Sequence, residues 1–79
     1  MRKLLFLILI IPFASFGQDY FKSGLEKYVN GDYYGAIADF TEAIEINPND
    51  YYAYYNRGNS KRNLEDYNGA IADLTKAIE

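Results

Sequence analysis

Asp32-Tyr33-Tyr34-Gly35-Ala36-Ile37-Ala38-Asp39-Phe40-Thr41-Glu42-Ala43-Ile44-Glu45 returns 34 residues later as Asp66-Tyr67-Asn68-Gly69-Ala70-Ile71-Ala72-Asp73-Leu74-Thr75-Lys76-Ala77-Ile78-Glu79. Eleven of the fourteen pairs are identical. Near-identity at a fixed period marks one supersecondary unit copied and stacked. Within each copy the apolar residues hold helical spacing. Ala36, Ile37, Phe40, Ala43 and Ile44 form one stripe, and Ala70, Ile71, Leu74, Ala77 and Ile78 repeat it. Asp32 and Asp66 stand just ahead of the stripes, where a short carboxylate caps free backbone N–H groups. These segments are designated the B helices.

A second kind of helix precedes each of them. Tyr20, Phe21, Leu25, Tyr28 and Val29 keep helical spacing up to Asn30-Gly31, a left-handed turn signal. The matching segment of the second copy runs from Tyr51 to Leu64, with Asp50 as its N-cap and Asn47-Pro48-Asn49 as the break before it. Each unit is thus an A helix, a tight turn, a B helix and a tight turn. No stretch alternates with the period of a strand.

The ends and the composition limit the function classes. Arg2 and Lys3, the apolar run Leu4–Ile11, the break at Pro12 and the small residues Ala14, Ser15 and Gly17 read as an export leader at 1–17, cleaved before Gln18. From Leu4 to Phe16 the segment falls short of the roughly 20 residues a membrane-spanning helix needs. The expected location is therefore extracytoplasmic: periplasm, cell envelope or medium. Removing Arg2 and Lys3 leaves six basic and eleven acidic residues, a net charge of −5. The bases are scattered, so the basic patch that nucleic acid requires is missing. Cys and His are both absent, which excludes the usual zinc sets and the Ser-His and Cys-His nucleophile pairs. The expectation is a non-enzyme without cofactor or metal. Asp39 and Asp73 read as equivalent outer positions on the B helices, too far apart for an acid/base pair.

The period and the helix-turn-helix unit resemble the tetratricopeptide repeat, with its pattern W-x2-L-G-x2-Y, then A-x3-F, then P. Tyr20, Gly24, Ala36, Phe40, Ala43 and Pro48 fill those places in the first copy, and Tyr54, Gly58, Ala70, Leu74 and Ala77 in the second. Ser23 and Arg57 stand where the pattern has Leu, and Lys27 and Lys61 where it has Tyr. Gly24 and Gly58, with Ala36 and Ala70, are small where helix axes must approach within about 8–10 Å. The resemblance implies an all-α fold of antiparallel helix-turn-helix repeats, stacked as a short right-handed solenoid over residues 18–48 and 51–79.

The resemblance also implies a binding face. The A helices of such repeats line a concave surface that takes extended peptides or partner helices. The A segments 17–31 and 51–65 agree at only three of fifteen places, against eleven of fourteen in the B helices. A shared scaffold with a divergent face suits recognition. The candidate partner-binding residues are Phe21, Lys22, Leu25 and Tyr28 from the first unit, and Tyr52, Tyr55, Asn56, Asn59, Arg62 and Asn63 from the second. Asparagine amides pair with an extended backbone, arginine with a carboxylate, and tyrosine offers large contact area at low entropy cost. Two further readings stand beside this one: a structural piece of a longer solenoid, and a module whose tyrosines 51, 52, 54 and 55 bind cell-wall glycan. Ile71, Leu74 and Ile78 have no helix after them, so the last helix is also expected to self-associate.

Overall fold

A computed structural model describes residues 12–79. Among the described residues there are four helices and no strand: α1 Pro12–Val29, α2 Tyr33–Ile46, α3 Tyr51–Asn63 and α4 Tyr67–Ile78. Helices α1 and α3 are the A helices, and α2 and α4 the B helices. The leader reading of residues 1–11 lies outside the described residues. Within the described residues helix α1 runs from Pro12 on through Gln18. Each helix packs on the next in the chain, while α1 and α3 touch only sparingly.

The turn inside each unit is built twice in the same way. The N–H of Asp32 donates to the Lys27 carbonyl (2.9 Å) and that of Gly31 to Tyr28 (3.0 Å). Asp66 to Lys61 (2.9 Å) and Glu65 to Arg62 (2.9 Å) repeat the pair. This is the Schellman closure of a helix, and its left-handed residue is Gly31 at φ 81° or Glu65 at φ 65°. The residue after it also starts the next helix. The Asp32 carboxylate accepts from the Gly35 N–H, and that of Asp66 from the Gly69 N–H, each at 3.0 Å. Asp50 caps α3 likewise, through the Ala53 N–H. All three expected caps are present.

The core is Ala36, Phe40, Ala43, Ile44 and Ala53, flanked by Phe21, Leu25, Tyr28 and Tyr54. Phe40 lies over Gly24, where an added Cβ would stand 2.7 Å from its ring. Leu74 covers Gly58 in the same way, with its Cγ 3.0 Å from such a Cβ. Small residues on the A helices therefore admit the large B-helix side chains, as the small-residue framework implied.

One sequence reading is corrected. Asp39 and Asp73 are not outer residues but are only 9% and 4% exposed. Asp39 lies three residues after Ala36 and four before Ala43, both buried, so the helix turns it inward.

Candidate functional site

The two buried carboxylates organise each unit. In the first, the Ser23 hydroxyl donates to Asp39 Oδ2 at 2.6 Å, and Lys27 Nζ lies 2.9 Å from the same oxygen. In the second, Arg57 holds Asp73 with two bonds, Nε to Oδ2 and Nη2 to Oδ1, each 2.8 Å. Lys61 Nζ adds a third contact at 3.0 Å. The four positions that depart from the repeat pattern are thus the partners of the two acids. Serine and lysine, or arginine and lysine, one helical turn apart on the A helix, clasp an aspartate on the B helix. Burial pushes the Asp73 carboxyl up, but the hydrogen bonds and charges of Arg57 and Lys61 outweigh it and hold the group below its ordinary value. The bond to Asp73 raises Arg57, and the bond to Asp39 raises Lys27. Arg57 also donates to Thr41 Oγ1 on α2 (3.2 Å) and lies 5.5 Å from the centre of the Tyr54 ring. The clasp of the second unit therefore reaches into the first.

The candidate partner-binding residues divide into two groups. Phe21, Leu25 and Tyr28 are half-buried and packed against the core. The Phe21 ring meets Phe40 at 5.7 Å, and the Tyr28 ring meets Tyr33 edge-on at 5.5 Å. Lys22, Tyr52, Tyr55, Arg62 and Asn63 are exposed, with Asn56 and Asn59 half-buried beside them. On α3, Tyr52, Tyr55, Asn59 and Arg62 follow one another at helical spacing and form a single stripe. Among the described residues neither Lys22 nor Arg62 takes part in a salt bridge. Two of the three asparagines already spend donors locally. Asn56 Nδ2 donates to the Tyr52 carbonyl at 2.8 Å, and Asn63 Nδ2 to the Asn59 carbonyl at 2.8 Å and the Tyr28 hydroxyl at 3.4 Å. That last contact ties α1 to α3.

A depression of about 450 Å³ opens beside the stripe, lined by Tyr51, Tyr52, Tyr55, Ala77 and Ile78. Tyr54 is half-buried and lies against Arg57 instead, so three of the four clustered tyrosines share this surface. Sequence reasoning missed the depression because two of its five lining residues, Ala77 and Ile78, belong to α4.

The stacked helix pairs and the stripe on an A helix define a helical-repeat scaffold. Two family models, both described as tetratricopeptide repeat, match the chain over residues 20–50 and 40–72. The chain belongs to the tetratricopeptide-repeat family, whose repeats generally mediate protein–protein interactions. Comparison with curated proteins and with solved structures returned no match.

Proposed function

We propose that the chain captures a segment of a partner protein on the α3 stripe, without catalysis. The observation that carries this reading is the line of Tyr55, Asn59 and Arg62 on one face, with Arg62 exposed and outside any salt bridge among the described residues. The guanidinium suits a carboxylate of the partner, and the half-buried Asn59 side chain its backbone. The neighbouring depression takes an apolar side chain. Its lining of tyrosine rings, alanine and isoleucine suits that better than a sugar, which needs several polar contacts.

Selection from a displayed peptide library tests this. Tyr55→Ala, Asn59→Ala and Arg62→Ala are each expected to lower capture of the selected peptides about tenfold, the effect of losing about 1.4 kcal/mol. Helical content should stay at wild-type level. Tyr34→Ala and Glu42→Ala, exposed on α2, should leave capture unchanged. Equal losses from both sets would refute the assignment of the face. The proposed setting is extracytoplasmic, supported by the basic–apolar–small order of residues 1–17. Intact mass of exported protein should show a start at or next to Gln18, and full-length protein confined to the cytoplasm would refute export.

A further inference from the structure

We propose that Asn30-Gly31 is a self-modifying site, where the Gly31 nitrogen closes on the Asn30 side chain and converts the asparagine to isoaspartate and aspartate. The Gly31 amide gives its proton to hydroxide and attacks Cγ of Asn30. A C–N bond forms, the side-chain nitrogen leaves as ammonia with a proton from water, and a succinimide ring remains. Water then opens the ring. Cleavage at the main-chain carbonyl gives isoaspartate, and cleavage at Cγ gives aspartate. The balance is one water consumed and one ammonia released, with no oxidant or reductant. Glycine favours the attack because no side chain crowds its nitrogen. The chain holds two such pairs, Asn30-Gly31 and Asn68-Gly69.

The fold protects the second pair. Asn68 lies in the first turn of α4, and the Gly69 N–H donates to the Asp66 carboxylate at 3.0 Å. That carboxylate lies so close over Gly69 that an added Cβ would overlap it. Swinging the Gly69 nitrogen toward the Asn68 side chain takes its N–H off a charged acceptor and opens the first turn of the helix. The carboxylate also opposes loss of the amide proton, because it binds the protonated form and repels the anion.

The first pair has none of this cover. Asn30 follows Val29, the last residue of α1, and both Asn30 and Gly31 are exposed. Gly31 sits at φ 81°, with nothing within 4 Å of the place a Cβ would take. Its N–H meets the neutral Tyr28 carbonyl at 3.0 Å, and the neighbouring Asp32 carboxylate is turned forward to the Gly35 N–H. Among the described residues no backbone N–H donates to the Asn30 carbonyl. Attack therefore gives up only bonds at an exposed helix end, where opening is least costly. The product acts on the turn. Isoaspartate routes the main chain through Cβ and adds an atom inside the loop that the Asp32 N–H closes on the Lys27 carbonyl. Either product also sets a negative charge at the C-terminal end of α1, which the helix dipole disfavours.

Incubation of the full chain at mildly alkaline pH, folded in one arm and in denaturant in the other, tests this. Peptide mapping with isoaspartyl methyltransferase labelling follows the two asparagines separately. In denaturant they should react at similar rates. In the folded chain Asn30 should react at least about tenfold faster than Asn68, the factor set by one hydrogen bond to a charged acceptor. Asp66→Ala should bring Asn68 toward the rate of Asn30 and leave Asn30 unchanged. The isoaspartate fraction, separated by anion exchange, should melt roughly 4–8 °C below the unmodified chain, the shift for losing one cap. A folded-state Asn30 that reacts no faster than Asn68, or that stays intact while the denatured chain is converted, would overturn the proposal.

Discussion

Asp73→Ala is the sharpest probe of how the units are held. The substitution leaves the Arg57 guanidinium and the Lys61 ammonium without the acceptor that takes three of their contacts. Removing one partner of a fully buried ion pair costs about 3–5 kcal/mol. Here the Arg57 and Lys61 side chains keep 17% and 21% of their exposure, so water restores part of the loss. The expected cost is roughly 2–3 kcal/mol. Domains of this size lose about 4–8 °C of Tm per kcal/mol, so the melt should fall by roughly 10–20 °C. Thermal unfolding followed by circular dichroism measures it. Asp39→Ala should lose less than half as much, because its partners are a neutral hydroxyl and a single lysine whose side chain is 41% exposed. A melt for Asp73→Ala within a few degrees of wild type, or equal losses from the two variants, would refute the clasp as a source of stability.

Acidification should act on the same group. The folded Asp73 carboxyl sits below its unfolded value, so its contribution is complete above about pH 4 and disappears as pH falls through the folded value. The acid limb of Tm against pH should therefore be shallower in Asp73→Asn than in wild type. Glu65→Gly should stabilise by about 1 kcal/mol, since a non-glycine residue in the left-handed region costs about 1–2 kcal/mol. A denaturant titration would read it as a higher midpoint at unchanged slope. Gly24→Ala should destabilise by about 1–2 kcal/mol in the same titration, because the Phe40 ring it would press on is fully enclosed. Gly58→Ala should destabilise by less, since the half-exposed Leu74 has room to turn and the helix gains alanine propensity, but the Asp73 Cβ, 3.2 Å from the added methyl, is held in its clasp.

The periodic parts of the sequence were legible because each rests on a local rule. The 34-residue offset, the three aspartate caps and the fit of Gly24 to Phe40 all follow from spacing and side-chain size. The acidity of Asp39 and Asp73 suggests an outer place, but the intervals to Ala36 and Ala43, and to Ala70 and Ala77, set them on the inner face. The signal was present twice over, since the polar residues Ser23 and Lys27, and Arg57 and Lys61, break the pattern at one-turn spacing. The candidate face was only partly legible. Phe21, Leu25 and Tyr28 keep the same helical spacing whether they face a partner or the core, and α2 decides it. Glu65 at positive φ was not legible, because nothing about glutamate signals that conformation.

The shared aspartate in each internal turn has a consequence for the chain's tolerance to length change. Asp32 and Asp66 each end one helix through the backbone N–H and begin the next through the carboxylate. One inserted or deleted residue there breaks both functions together and turns the following helix by about 100° about its axis. That rotation would carry Asp39 or Asp73 away from its partners on the A helix. The turn at Asn47–Asp50 divides the work, with α2 ended by the Asn47 N–H and α3 begun by the Asp50 carboxylate. A length change between units therefore leaves both closure-and-cap turns intact, whereas one within a unit breaks its closure and its cap together.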